Sequence, residues 1–256
     1  PLTRIKWIAE RLSIAPSSAV EMLKKMEKLG YVNYREREGV NLTDKGKKIA
    51  TPGPPSIQYF LFLRLVEKEE LSIENFDLIT LAPKDMRAAL EAGTIDAFIA
   101  WEPFCADAVV NGVGVVFKNS SDIWPDHICC VVAVDKTFAV NYPNIVTSFL
   151  KAHIEATNWI NAAIASGPGS KNYDLLLDIA ANFTGRNRDV IEFALANINY
   201  TFDIDDRFMG VFIEFAYKLI EYKIVAPGTI EDRGYSDVYD FAHKYIDTSY
   251  LTEAKR

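Results

Sequence analysis

The sequence predicts an α/β fold in which a small winged helix-turn-helix domain precedes a larger α/β domain. Amphipathic helices and a short hairpin occupy residues 1–48, whereas apolar strands alternate with helices from residue 49. Residues 1–50 contain 11 Lys/Arg and 6 Asp/Glu, a net charge of +5, and residues 51–256 contain 17 and 29, a net charge of −12. This change of pattern and of charge predicts two domains, at residues 1–48 and 49–256.

The composition is typical of a globular chain, with 256 residues of which 49% are hydrophobic and 25% charged. No apolar run approaches the roughly 20 residues that cross a membrane, and the first residues do not resemble a secretory signal, so we expect a cytoplasmic protein. Cys129 and Cys130 lie in an apolar run and are expected to be buried, reduced thiols. No spaced His/Cys motif occurs, so no metal and no cofactor are expected.

The basic end has the pattern of two helices followed by a hairpin. Ile5, Ile8 and Ala9 have the spacing of one helix face, and Thr3 can cap that helix. A second helix is expected to begin at Pro16 and to end before Gly30, and two short strands are expected around the charged "REREG". A helix, a turn, a helix and a hairpin together predict a winged helix-turn-helix.

The predicted winged helix-turn-helix has polar and basic side chains where such a domain contacts a DNA duplex. The start of the second helix would enter the major groove, where small polar residues fit, and basic side chains would contact phosphates. The alternative, a merely solvated charged surface, carries equal weight for any single lysine. The candidate DNA-binding residues are Pro16, Ser17, Ser18, Lys24, Lys25, Lys28, Arg35 and Arg37.

The stretch "PSSAVEMLKKMEKLGYVNYREREGVNLTDKGKKIA" resembles the DNA-binding module of the manganese-transport-regulator/diphtheria-toxin-repressor family. The resemblance implies that Pro16, Ser17 and Ser18 lie at the groove and that residues 35–37 form the wing. The metal ligands of that family lie on a preceding helix and in a following dimerisation domain, and neither is recognised here. Metal-dependent repression is therefore not expected, and a homodimer would have to form through the acidic domain.

The acidic end predicts a sheet covered by helices on both faces, followed by a helical region. Strands are expected at residues 47–52, 75–82, 95–101, 113–117 and 127–134. Helices are expected between the first four of these, at 53–70, 84–93 and 104–112. Further helices are expected at 142–165, 172–183, 188–198, 206–222 and 236–245.

Two short segments of this end are candidate ligand-binding elements. Thr51, Gly53 and Ser56 lie where the first strand ends and a helix begins, and there N–H groups and the helix dipole favour an anion. A plain structural turn is the favoured alternative on this feature alone, because the two prolines in "TPGPPS" remove donors. Trp101 and Glu102 stand at the carboxyl end of the third strand and can hold a cationic or polar group, with a surface role weighted equally.

The motifs "TPG…S", "G.IDAF..WEPF" and "P..V..FL.A…A..WIN" resemble the sulfonate/nitrate/taurine (thiamine-pyrimidine-precursor-like) class of ABC-transporter substrate-binding proteins. The resemblance implies a periplasmic-binding-protein fold with a ligand in the cleft between two lobes. It also implies that the five candidate residues line the second lobe. Most of lobe one precedes the first strand in that class, so we expect a truncated form, the second lobe plus C-terminal helices.

Together these expectations indicate a ligand-responsive DNA-binding transcription regulator. Its partners would be double-stranded DNA and a small anionic or zwitterionic ligand of the sulfonate, nitrate, taurine or pyrimidine type. The alternative is a substrate-binding component, or relic, of an ABC transporter, with a permease and an ATPase as partners and a location outside the cytoplasm. An enzyme is not expected, because His127, Cys129 and Cys130 only faintly resemble the Cys/His cluster of relatives that make the thiamine pyrimidine.

Overall fold

The computed structural model describes residues 5–11, 15–28, 32–35, 39–42 and 47–256. The chain divides into two compact units, Pro1–Phe104 and Cys105–Arg256. The expected domain boundary between residues 48 and 49 falls inside the first unit and stays a prediction. Within the described ranges, no helix is both long enough and apolar enough to cross a membrane.

The N-terminal segment has the predicted element order. Helices α1 (Ile5–Arg11) and α2 (Pro16–Lys28) precede an antiparallel hairpin of β1 (Val32–Arg35) and β2 (Gly39–Leu42). Leu23, Val32 and Val40 form a small buried core, because the inward faces of α2 and of the hairpin meet there. The predicted cap at Thr3 and helix end at Gly30 lie outside the described residues.

A three-stranded parallel sheet forms the rest of the first unit. Strand β3 (Lys48–Thr51) lies between β4 (Asp77–Thr80) and β5 (Ala97–Phe98). Helix α3 (Ile57–Lys68) and a 3-10 turn (Ile73–Asn75) connect β3 to β4, and α4 (Pro83–Glu91) connects β4 to β5.

The two faces of this sheet are covered by different helices. Ile49 packs against Phe62 of α3, whereas its neighbour Ala50 lies in a cluster with Met86 of α4. Successive residues of a strand point to opposite faces, so α3 and α4 cover opposite sides. The prediction of a sheet covered on both faces is confirmed for these three strands.

Two predicted strands are wrong. Residues 113–117 and 127–134 contain no strand, and Val115 and Phe117 are 88% and 80% exposed. An apolar run becomes a strand only where another strand accepts its backbone hydrogen bonds, and β3–β5 pair only with one another. The expectation of buried thiols is wrong for the same segment, because Cys129 and Cys130 are exposed.

The second unit is helical, and all five helices predicted after residue 142 are present. Ala163, Tyr173, Leu177 and Ile191 form the centre of one core, where three successive helices pack together. The elements are α5 (Phe104–Val110), α6 (Ser120–Ile123), α7 (Lys136–Asn141), α8 (Pro143–Ser166), α9 (Lys171–Thr184), α10 (Arg188–Leu195), α11 (Asp206–Glu221), α12 (Thr229–Asp232), α13 (Val238–Tyr245) and α14 (Ser249–Ala254).

Candidate functional site

The strand order creates a switch point at the carboxyl edge of the sheet. From β3 the chain continues to β4 on one side, and from β4 it crosses to β5 on the other side of β3. The helices that follow β3 and β4 lie on opposite faces of the sheet, so the loops after these two neighbouring strands lead in different directions. In open α/β sheets this divergence opens the crevice in which ligands bind.

The turn after β3 is held by its own polar groups. The Thr51 side chain is 1% exposed, and its Oγ1 accepts a hydrogen bond from the Gly53 backbone N–H at 3.1 Å. Gly53 has a φ of +84°, and its carbonyl accepts from the Ser56 N–H at 3.0 Å. Because glycine adopts positive φ without steric cost, the chain can turn here from the strand into the helix.

Ser56 caps helix α3. Its Oγ accepts a hydrogen bond from the Tyr59 N–H at 3.1 Å, which satisfies one donor of the first turn. The peptide bond between Pro54 and Pro55 is cis. Ser56 is thus a structural residue in this state, and its hydroxyl contacts a ligand only if the cap rearranges or is shared.

Thr80 is a polar residue of this edge that the sequence interpretation missed. It ends β4, lies opposite Thr51 in the parallel register, and its side chain lies against Gly53. The available signal was a hydroxyl residue at the end of the apolar run "FDLIT", the position at which strand ends contribute side chains to an α/β crevice.

Trp101 and Glu102 follow β5 at the same edge. The Ile99 N–H donates to the Ala50 carbonyl at 2.9 Å, which carries the pairing one residue beyond the strand. Trp101 is 42% exposed and meets Phe104 edge to face, with ring centroids 6.0 Å apart. Since β5 neighbours β3 in the parallel sheet, the segments that contain the five candidate ligand-binding residues, Thr51, Gly53, Ser56, Trp101 and Glu102, lie at or beyond the same edge of the sheet. That these residues form one ligand site stays a prediction.

The candidate DNA-binding residues of α2 lie on its outer surface. Pro16, Ser17 and Ser18 are exposed at the start of the helix, whereas Ala19 and Leu23 are buried. Exposed basic side chains occur at three later positions of α2 and at the end of β1, namely Lys24, Lys25, Lys28 and Arg35.

One of these lysines already has an acidic neighbour. Lys25 Nζ lies 3.1 Å from Glu21 Oε1, one turn earlier on the exposed face of α2. Its charge is therefore partly balanced within the helix. Arg37 lies outside the described residues, so its predicted place in the wing stays a prediction.

His127, Cys129 and Cys130 do not belong to a metal-holding cluster among the described residues. His127 Nδ1 lies 3.0 Å from the Trp124 carbonyl oxygen, and burial lowers the pKa of His127 while this hydrogen bond opposes the shift. Across the described ranges, no three His, Cys, Asp or Glu side chains are grouped so that they could hold a metal ion.

Comparison with known proteins relates the chain to two groups. The model of the NMT1-like family matches residues 13–167, which is more than half of the chain and includes α2 and the hairpin. The periplasmic aliphatic sulphonate binding protein SsuA from Escherichia coli is similar in structure, with a TM-score of 0.57 and 20% identity. The similar region covers 71% of this chain and 56% of SsuA. This likeness supports an α/β fold of the periplasmic-binding-protein type.

The chain is similar in sequence to proteins of two different kinds. The nitrate import ATP-binding protein NrtC of a Synechocystis strain is 28% identical over 146 residues, 56% of this chain but 22% of NrtC. The chain therefore spans a small part of that relative's length. The HTH-type transcriptional regulator MntR of Lysinibacillus sphaericus is 31% identical over 116 residues, 45% of this chain and 72% of MntR.

Proposed function

The chain belongs to the NMT1-like family, and from that membership we propose that it binds a small anionic or zwitterionic metabolite at the carboxyl edge of its parallel sheet. The observation that carries the proposal is the switch point in the strand order β4-β3-β5, where the helices after the neighbouring strands β3 and β4 lie on opposite faces of the sheet. The sulphonate named for SsuA and the nitrate named for NrtC support sulfonates and nitrate as ligand classes. Taurine and pyrimidines complete the set of candidates.

The two loops have different roles in this proposal. Gly53 lets the backbone approach the anionic group, and the positive end of the α3 dipole stabilises that charge. Trp101 gives an aromatic surface, and Glu102 gives a carboxylate for an ammonium group. A zwitterion such as taurine would use both loops, whereas nitrate would use the first.

A thermal-shift screen of the full chain tests ligand binding, because a ligand that binds only the folded state raises the melting temperature by mass action. Taurine, alkanesulfonates, nitrate, bicarbonate and pyrimidines are the compounds. For a ligand that raises the melting temperature, Trp101→Ala should lower affinity about tenfold, whereas Phe117→Ala, an exposed aromatic of the second unit, should not. Equal effects of the two variants would contradict the proposed site.

The substitution Glu102→Gln separates the ligand classes. It removes one negative charge with little change of shape. Affinity for taurine should fall, because the ammonium group loses its counter-charge, while affinity for nitrate should stay equal or rise. A fall for both ligands would show that Glu102 holds the loop rather than the ligand.

We further propose that residues 1–48 bind double-stranded DNA, so that the protein is a ligand-responsive transcription regulator. The favouring observations are the exposed Ser17 and Ser18 at the start of α2 and the similarity to MntR. Modules of this type act as dimers on two half-sites, so the proposal includes a homodimer through the acidic domain. Ligand binding would favour one arrangement of the dimer over another.

Fluorescence anisotropy with duplex DNA at several salt concentrations tests this second function. Lys24→Ala and Lys28→Ala should each reduce the salt dependence by about one counterion, because each lysine contacts a phosphate. Lys171→Ala is the control, since Lys171 is an exposed lysine in the second unit. Light scattering of the same samples reports the dimer. A chain that binds no duplex at low salt would overturn the regulator function and leave ligand binding intact.

That outcome would favour the alternative, a substrate-binding component or relic of an ABC transporter. The two functions share the ligand site and differ in DNA binding, in partners and in location. The proposal is of binding rather than catalysis, in keeping with the binding protein that it resembles in structure.

A further inference from the structure

Two cysteine side chains lie side by side on the surface of the second unit. The Cys130 thiol donates a hydrogen bond to Cys129 Sγ, with 3.7 Å between the sulfur atoms. Both residues are exposed, and neither is in a disulfide. The third cysteine, Cys105, is half-buried in α5. The second unit thus presents one exposed pair of thiols.

The pair exists because its segment is not a strand. Adjacent residues of a strand point to opposite faces, which would hold the two sulfur atoms apart. The sequence predicts such a strand over residues 127–134, but the chain there contains neither helix nor strand. Both thiols can therefore lie on one side of the backbone.

The distance between the sulfur atoms can be compared with the distances expected when one atom bridges them in a linear or a bent arrangement. Two bonds of about 2.3 Å to one atom separate the sulfurs by about 4.6 Å if the bonds are collinear. They separate the sulfurs by about 3.5–3.8 Å if the bonds meet near the tetrahedral angle. The observed 3.7 Å is close to the bent arrangement, whereas a linear two-coordinate ion would require the sulfur atoms to move apart.

The surroundings of the pair favour an atom that needs only two protein ligands. No cluster of three or more His, Cys, Asp or Glu able to hold a metal occurs in the described part of the chain. A four-coordinate zinc site is therefore not built here. A trivalent arsenical forms pyramidal bonds and can bring its own third substituent.

We propose that Cys129 and Cys130 form a dithiol site that captures trivalent arsenicals. An organic arsenic(III) oxide exchanges its oxygen for two As–S bonds, and the two thiol protons leave with that oxygen as one molecule of water. Arsenic stays trivalent, so no oxidant or reductant is needed. This site is independent of the ligand and DNA sites proposed above, because its residues belong to neither.

Phenylarsine oxide and intact-mass measurement on the full chain test the site. We expect one arsenical per chain, added with loss of one water, that survives excess monothiol and is removed by a dithiol. The second As–S bond forms within the chain, so the retained adduct should be about a hundredfold more resistant to monothiol than a single-bond adduct.

Single substitutions give the controls. Cys129→Ser and Cys130→Ser should each abolish resistance to monothiol, and both residues are exposed, so the fold should be kept. Far-UV circular dichroism checks the fold, and the matching alanine variants repeat the comparison. Cys105→Ser should retain the resistant adduct. An adduct that either Cys129 or Cys130 variant still holds against monothiol, or a wild-type adduct that monothiol removes, would overturn the proposal.

Discussion

Gly53 lies so close to Thr80 that a Cβ atom at position 53 would fall 2.9 Å from Thr80 Cγ2 and 3.0 Å from its Oγ1. The turn after β3 is thereby matched to the end of β4, the neighbouring strand. Gly53 also has a φ of +84°, a conformation that L-residues rarely adopt. The position requires glycine for two separate reasons, one conformational and one steric.

Gly53→Ala should lower the free energy of unfolding by about 2–4 kcal/mol. About 1 kcal/mol comes from positive φ and about 1–3 kcal/mol from the contact with Thr80. Urea denaturation of the full chain, followed by far-UV circular dichroism, measures the change.

Two comparisons separate these causes. Gly93 has a φ of +69° and no atom within 4 Å of the position that a Cβ would occupy, so Gly93→Ala should cost only the conformational part. In a Thr80→Ala background, Gly53→Ala should lose its steric part, because only the Cβ of residue 80 remains, at 3.6 Å. If Gly53→Ala lowers the free energy of unfolding no more than Gly93→Ala does, the close contact with Thr80 does not contribute to the cost of the substitution.

Ser56→Asp should separate the capping role of residue 56 from anion binding. Aspartate caps helices about as well as serine, so the stability of the first unit should change by less than about 1 kcal/mol. The added negative charge at the start of α3 should weaken binding of nitrate or a sulfonate about tenfold or more. Isothermal titration with a ligand from the thermal-shift screen measures this loss.

Ser170→Asp is the matched control for that substitution. Ser170 caps α9 of the second unit, accepting from the Tyr173 N–H at 3.3 Å. This variant adds the same charge at another helix start and should leave ligand affinity unchanged. Equal losses of ligand affinity in both variants would point to a general charge effect. No loss of affinity in either variant would show that the ligand does not bind at the start of α3.

Arg186→Met should destabilise the second unit by about 2–4 kcal/mol. Arg186 Nη1 lies 2.5 Å from Asp107 Oδ2, and the two side chains are 24% and 9% exposed. Asn111 Nδ2 also donates to Asp107, at 3.0 Å. Removing the cation takes a close positive charge away from a buried carboxylate, and the partial exposure of Arg186 keeps the cost below that of a fully buried pair.

Arg188→Met is the control for the same chemistry at the surface. Arg188 contacts Asp174 and Asp178, and these side chains are between 45% and 60% exposed. We expect a loss of about 0–1 kcal/mol, because solvent screens such pairs. Chemical denaturation of both variants ranks the pairs, and an equal cost would show that burial of Asp107 does not matter.

The sequence predicts the elements whose pattern is local. The helix at 143–166 follows from its periodic apolar face, and the strand at 48–51 follows from a short apolar run before "TPG". The same patterns mislead at residues 113–117 and 127–134, because strand formation depends on a pairing partner that no local window contains. The close approach of Gly53 and Thr80 escapes prediction for a related reason, since the two residues are joined only by strand register.

Some candidate site residues can be predicted from local sequence, whereas others depend on contacts that the sequence does not show. Thr51 and Trp101 can be identified from the sequence because each stands at the carboxyl end of an apolar run, and parallel strands bring their carboxyl ends to one edge. The cap at Ser56 and the thiol pair at Cys129 and Cys130 depend on atomic distances that sequence spacing does not set. The two thiols lie side by side because the strand predicted over residues 127–134 does not form.

His127 should lower the stability of the folded chain in mild acid. Burial lowers its pKa below the ordinary value of 6.5, so the unfolded chain binds a proton more readily than the folded chain. The stability contributed by neutral His127 is therefore fully present above about pH 6.5, and it is lost as the pH falls through 6.5 towards the folded pKa. Urea midpoints measured at steps from about pH 7.5 to pH 5 should show this loss.

His127→Gln should remove that part of the pH dependence, because glutamine does not titrate in this range. The variant should be less stable than wild type at neutral pH, since the ring stacks on Trp124 with centroids 6.5 Å apart, but its midpoints should change less in acid. If His127→Gln keeps the full acid slope, other groups cause it, and burial of this imidazole has no energetic consequence.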